Sequence, residues 1–303
     1  MTIVVSGSTG LIGSALVAAL KQRNQEVVRL VRRPTGSTER EVPWDPERGA
    51  IDRAALEGAG AAIHLSGENV FGRWSAAKKQ RIRDSRVQST RLLSETLAEL
   101  QRPPATLLAA SAVGYYGDSG AEIKTETSRA GDDFLALVAR EWEAATAPAA
   151  KSGIRVVNMR FGVVLTTTGG ALGKMLPPFR LGLGGPVGSG NQYVSWIALG
   201  DLINAVLYVL DRRDLTGPVN LTAPTPVTNR EMAETLGRVL HRPSAIPVPS
   251  FALKMAFGAE GAEMLQSSQR VLPQRLVESG FTFQFQTLEP ALQYLLAPSE
   301  RPR

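Results

Sequence analysis

Residues 2–20 read TIVVSGSTGLIGSALVAAL, and the fold turns on them. TIVVS is a short, apolar, β-branched run, the pattern of a strand buried on both faces. LIGSALVAAL continues with apolar residues at helical spacing. Between the two, Gly7, Gly10 and Gly13 stand three residues apart. A glycine turn that follows a strand and opens a helix suits a pyrophosphate. Gly7 permits the tight turn, Gly10 lets backbone approach the ligand, and Gly13 lets the helix pack close on the sheet. The helix N-terminus then offers free N–H groups and the positive end of its dipole. The candidate cofactor residues here are Gly7, Ser8, Thr9, Gly10, Leu11, Ile12 and Gly13. A purely structural tight turn is the alternative reading.

Outward from this stretch the first half alternates strand and helix. EVVRLV (26–31), VPW (42–44), GAAIHLS (60–66), ATLLAAS (105–111) and IRVVNMRF (154–161) read as strands. Helices are expected over 76–100, where Pro103-Pro104 stop the run, and over 131–145, GDDFLALVAREWEAA, burying Phe134, Leu135, Val138 and Trp142. Strands joined by helices imply parallel pairing with right-handed crossovers, hence a doubly wound α/β sheet with helices on both faces. After residue 165 the texture becomes rich in Gly and Pro. A clear helical period returns at 198–213, where Asp201 is placed to cap, and GPVNLT (217–222) reads as one more strand. We expect a cofactor domain at 1–165, to which 198–222 returns, and a smaller mixed domain over 166–303.

Composition narrows the function. The 303 residues carry 43% hydrophobic and 20% charged side chains, which describes a globular chain. The net charge of +6 is spread along the sequence, so an anionic small ligand is favoured over nucleic acid. The chain has no cysteine, which removes disulfides, thiolate catalysis and cysteine zinc sites, and only two histidines, His64 and His241. No apolar run approaches the roughly 18 residues of a membrane span, and the first residues enter a strand without a signal-like region, so a cytoplasmic protein is expected.

The end of the second strand bears on which nicotinamide cofactor fits. An acidic residue there would bond the ribose hydroxyls of NAD. This chain has Arg32 and Arg33 instead, and guanidinium forks suit a 2′-phosphate, so NADP(H) is the expected cofactor. Two solvated arginines are the plain alternative.

The glycine spacing, SAVGYYG (111–117) and VVNMRFGVVL (156–165) resemble an extended or atypical short-chain dehydrogenase/reductase. Longer segments narrow the resemblance to its epimerase-like subfamily, within the NAD-dependent epimerase/dehydratase family. They are HLSGENV (64–70), RWSAAKKQRIRDSRVQSTRLL (73–93), PPFRLGLGGPVGSGNQYVSWI (177–197), PTPVTNREMAETLGRVLHRP (224–243) and QRVLPQRLVESGFTF (269–283). The resemblance implies a Rossmann domain, an NADP(H) site and a small C-terminal domain. It would place Arg32 on the adenosine phosphate and Leu65 and Ser66 beside the adenine or pyrophosphate. Arg86 would point toward the cofactor, and Val163 and Val164 would lie near the nicotinamide. His64 reads as a bonded core histidine rather than a ligand.

Short-chain reductases donate a proton from a tyrosine whose pKa is lowered by a lysine four residues on. None of the five tyrosines here is followed by lysine at that spacing. Phe134 or Leu135 stands about where the tyrosine would be, and Val138 or Ala139 where the lysine would be. Ser111, at a strand end, is the candidate to hold a substrate oxygen, with Tyr115 or Tyr116 supplying a proton. Packing of the pocket wall is the alternative for both tyrosines. GLGGPVGSG (182–190), flanked by Lys174 and Arg180, reads as a substrate-side lid or a connecting loop. Two readings result. One is an NADP(H)-dependent oxidoreductase or epimerase acting on a small, anionic or sugar-nucleotide substrate. The other is a non-catalytic NADP(H)-binding redox sensor or interaction protein. A homodimer through the helices at 76–100 and 131–150 is compatible with both.

Overall fold

The computed structural model of the chain describes residues 1–36 and 39–297. The order begins β1 (Thr2–Ser6), α1 (Leu11–Gln22), β2 (Glu26–Val31), β3 (Arg40–Asp45), β4 (Ala50–Ile51), β5 (Ala61–His64) and α2 (Ala76–Ala98). Next come β6 (Thr106–Ala112), β7 (Ile123–Lys124), α3 (Phe134–Ala144), α4 (Ala147–Lys151), β8 (Arg155–Phe161) and β9 (Val163–Leu165). Then follow α5 (Gly170–Arg180), β10 (Tyr193–Val194), β11 (Trp196–Ala198), α6 (Leu199–Asp211) and β12 (Gly217–Leu221). The last part holds β13 (Val227–Thr228), α7 (Asn229–Leu240), α8 (Ser250–Gln266), β14 (Arg270–Val271), α9 (Gln274–Glu278) and α10 (Leu288–Leu296).

Eight strands form the central sheet in the order β12-β8-β6-β5-β1-β2-β3-β4, and only the β3/β4 pair is antiparallel. The chain builds outward from β1 through β2 and β3, then crosses back to lay β5 on the other side of β1. That reversal opens a crevice at the carboxyl ends of β1 and β5, where doubly wound sheets bind ligands. Alternation along β1 feeds two cores. Ile3 and Val5 pack with Leu16 and Leu20 of α1 and Val206 of α6, while Val4 packs with Leu93 and Leu97 of α2 and Ala149 of α4. Both faces of β1 are therefore covered, as its unbroken apolar run requires.

A third core belongs to the smaller region, where Trp196 is wholly buried among Leu172, Phe179, Leu236 and Leu292. Helix α7 starts with a capping box: the Thr228 hydroxyl accepts from the Glu231 N–H, and the Glu231 carboxylate accepts from the Thr228 N–H. Two features differ from the sequence expectation. Helix α6 begins at Leu199 with Ala198 as its N-cap, so Asp201 lies inside the first turn and does not cap. Its buried carboxylate instead accepts from the N–H groups of Gln284 (2.8 Å) and Phe285 (2.9 Å), tying the tail to the helix, and burial raises its pKa. On α3, Val138 and Trp142 are buried as expected, but Phe134 and Leu135 are half-buried, because they face the loops at 74 and 114 rather than the sheet.

Candidate functional site

The glycine turn fills the mouth of the crevice. Gly7 takes φ +68°, and a Cβ there would lie 2.7 Å from the Leu65 carbonyl carbon on the loop after β5. A Cβ on Gly13 would stand 2.1 Å from the Gly7 oxygen. Both positions need glycine, one for conformation and packing, the other for the close approach of α1. Gly10 is the N-cap of α1 and brings no side-chain cap, and no acidic residue occupies the first turn. The N–H groups of Leu11, Ile12 and Gly13 thus face the crevice without partners among the described residues, an anion-binding arrangement. Ser8 is buried, while Thr9 is exposed.

One wall is the end of β2. Arg32 and Arg33 follow it and are exposed. The other wall is the loop after β5, where Leu65 and Ser66 are half-buried and the Leu65 N–H donates to the Ser6 carbonyl at 3.2 Å. Arg86 of α2 comes up beside this loop. A Cβ on Gly67 would lie 3.3 Å from its guanidinium carbon, and that carbon sits 5.1 Å from the Trp142 ring centre. Its guanidinium donates to the Ile82 carbonyl (3.0 Å), and it makes no ion pair among the described residues. Burial pulls its pKa down to about 10, with Glu68 opposing weakly. A cation so placed calls for an anion. On the far side, Val163 and Val164 of β9 are half-buried, paired with Trp196 and Ile197 of β11.

Beneath the turn, His64 is fully buried and bonded at both nitrogens. Ser6 Oγ lies 2.6 Å from Nδ1 and Ser89 Oγ 3.2 Å from Nε2. Ser89 gives its own proton to the Ser85 carbonyl (2.6 Å), so it accepts from Nε2–H, and Nδ1 accepts from Ser6. Burial holds the ring neutral, with a pKa near 3.

At the ends of β6 and β8 the chain has built something else. Ser111 Oγ donates to Glu143 Oε1 at 2.6 Å. Arg160 grips the same carboxylate with two parallel bonds, Nε to Oε1 (2.7 Å) and Nη2 to Oε2 (2.8 Å). Its Nη1 donates to the Tyr116 hydroxyl (2.9 Å), which in turn donates to Asn220 Oδ1 (2.7 Å). Arg160 is 2% exposed, so this is a desolvated, bidentate ion pair. Burial works against the Arg160 charge, but Glu143 and Tyr116 hold its pKa above the ordinary value. Burial pushes Tyr116 up to about 12. Ser111 and Tyr116 are thus occupied internally. Tyr115 is half-buried, its ring 3.5 Å from the Arg160 guanidinium carbon, and its hydroxyl has no hydrogen bond among the described residues.

The sequence reading passed over Glu143, Arg160 and Asn220. The signal was present: Arg160 and Asn220 interrupt strands that otherwise read as buried, and a charge there must find a partner. The glycine-rich segment at 182–190 is fastened as a connection rather than free as a lid. Val187 bridges Val248, the Gly188 N–H donates to the Val248 carbonyl, and a Cβ on Gly185 would strike the Ile246 oxygen at 2.0 Å. Lys174 lies over the Phe71 ring (4.7 Å), and Arg180 is exposed.

Residues 3–221 match the model of the NAD dependent epimerase/dehydratase family, and residues 248–295 match a domain of unknown function, DUF1731. Epimerase family protein Mb2239 of Mycobacterium bovis is 45% identical over 293 residues, covering 96% of each chain. The crystal structure of human epimerase family protein SDR39U1 with NADPH is similar at a TM-score of 0.90 and 37% identity, covering 97% of this chain and 99% of that one. A nucleoside-diphosphate sugar epimerase structure from Corynebacterium glutamicum is similar at a TM-score of 0.79 and 38% identity, covering 98% of this chain and 58% of that one.

Proposed function

The chain belongs to the NAD dependent epimerase/dehydratase family, and from that premise we propose that it binds NADP(H) in the β1/β5 crevice and does not use Ser111 or Tyr116 as a proton donor. The observation that carries the binding is Arg86: a half-buried guanidinium that forms no ion pair among the described residues, beside the loop that faces the glycine turn. The residues present fit the cofactor. The N–H groups of Leu11, Ile12 and Gly13 hold the pyrophosphate, with Gly7, Ser8, Thr9 and Gly10 shaping the turn beneath it. Arg32 and Arg33 take the 2′-phosphate, a choice in keeping with the NADPH bound by the human relative. Leu65 and Ser66 pass beside the adenosine half, and Val163 and Val164 line the nicotinamide half.

When bound, the nicotinamide supplies a hydride donor or acceptor. What this chain's own residues do around it separates two readings. The Ser111–Glu143–Arg160–Tyr116 network has no spare proton to offer, which favours a binder that turns nothing over. The unbonded Tyr115 hydroxyl, backed by the Arg160 charge, keeps open an oxidoreductase or epimerase acting on a small anionic or sugar-nucleotide substrate. Titration with NADPH and NADH, followed by NADPH oxidation against aldehydes, ketones and nucleotide sugars, tests both. We expect NADPH to bind more tightly than NADH. Turnover abolished by Tyr116→Phe would overturn our exclusion of that residue, and turnover abolished by Tyr115→Phe alone would select the enzyme reading.

A further inference from the structure

The adenosine end of the crevice is held by a residue outside the glycine and arginine motifs. Arg29 is the fourth of six residues in β2, and it is 9% exposed. Its Nε donates to Ser8 Oγ at 3.0 Å. Its Nη1 lies 3.4 Å from Thr35 Oγ1, 3.4 Å from Glu39 Oε2 and 3.5 Å from Glu41 Oε1, and Glu41 is its cross-strand partner on β3. Thr35 donates its N–H to Glu41 Oε2 at 2.8 Å and its hydroxyl to Glu41 Oε1. Lys21 of α1 meets Glu39 Oε1 at 2.7 Å. One guanidinium therefore bonds the glycine turn, the segment that begins just after Arg32-Arg33-Pro34, and the start of β3.

This arrangement has a consequence for charge. A carboxylate near the end of β2 favours the ribose hydroxyls of NAD(H) and repels a 2′-phosphate. Here two carboxylates, Glu39 and Glu41, stand beside the loop that carries Arg32 and Arg33. Both are held below the usual carboxylate range, Glu39 chiefly by Lys21 and Glu41 chiefly by Thr35, so both are ionised near neutral pH. Arg29 and Lys21 balance them charge for charge. With Arg29 present, Arg32 and Arg33 give the loop a net positive field. Without it, the balance shifts toward the pattern that selects NAD(H).

We infer that Arg29 is a positioning residue that sets the preference for NADPH over NADH, by fixing Ser8 and Thr35 in place and neutralising Glu39 and Glu41. This inference rests on the NADP(H) reading proposed above. The test is the ratio of NADPH to NADH dissociation constants, measured on the full-length chain by fluorescence titration. Arg29→Met should lose about tenfold of that ratio, near 1.4 kcal/mol, mostly through weaker NADPH binding. Adding Glu39→Gln and Glu41→Gln to that variant should recover the preference. Should Arg29→Met not fold, Glu41→Gln alone serves, and it should raise the preference for NADPH by roughly threefold. Equal weakening of both cofactors in Arg29→Met, or an unchanged ratio in Glu41→Gln, would overturn the selectivity role. A wild-type chain that binds neither cofactor would overturn the binding reading itself.

Discussion

Two buried polar assemblies lie side by side at the carboxyl edge of the sheet, and they are opposites. Under the crevice, Ser6, His64 and Ser89 form a neutral chain of hydrogen bonds. Above it stand three N–H groups of α1 with no acceptor among the described residues, and the Arg86 guanidinium, whose hydrogen bond to the Ile82 carbonyl leaves its charge without an ion pair among the described residues. At the ends of β6 and β8, Ser111, Glu143, Arg160, Tyr116 and Asn220 form an ionic cluster in which nearly every group answers another. The first assembly is incomplete without a ligand. The second is complete without one. On the function proposed above, the open assembly is the one that carries binding, and the closed one stands where Ser111 and Tyr116 would otherwise be free to act.

The largest effect that would sharpen this contrast comes from acid. His64 titrates near 3 in the native state and near 6.5 unfolded. Between those values the unfolded chain binds a proton that the native chain refuses, so stability falls as pH drops from about 6.5 toward 3, by roughly 4–5 kcal/mol. Urea midpoints across that range should show the slope, and His64→Gln should flatten it. The ionic side comes next. Glu143→Ala leaves Arg160 buried without a counter-ion and should cost about 3–5 kcal/mol. A cost below about 1 kcal/mol in equilibrium denaturation would place Arg160 in water and break the comparison.

A smaller loss is expected at the open side. Gly13→Ala puts a methyl against the Gly7 carbonyl and pushes α1 off the turn. NADPH affinity should fall about a hundredfold, near 2.8 kcal/mol, as read by isothermal titration. Least affected is Tyr116→Phe, which removes the bonds to Asn220 and Arg160. It should cost about 1–2 kcal/mol in thermal or urea unfolding.

Much of the open side was legible in the sequence, because its logic is local. TIVVS followed by three spaced glycines specifies strand, turn and helix within 20 residues, and the apolar runs that followed placed the parallel strands. The closed side was not legible, because its partners lie on separate elements. Glu143 looks like one more charge on an amphipathic helix until α3 is laid over β8. Arg29, on the open side, was hidden for the same reason: it looks like a misplaced charge until β2 is set beside β3. Asp201 misled for a related reason: its type and position suit a cap, but the tail at 284–285 returns to claim its carboxylate. The two-residue pairings β7/β14 and β10/β13 depend on the same return of the chain and leave no periodic trace.

The most direct test of the division between the two assemblies is one NADPH titration run on three proteins: the wild type, Arg86→Met and Tyr116→Phe. Removing the Arg86 guanidinium should weaken binding about tenfold or more, the worth of a lost charge-assisted bond, while Tyr116→Phe should bind as the wild type does. Unchanged binding in Arg86→Met together with lost binding in Tyr116→Phe would place the cofactor on the ionic cluster and contradict the account.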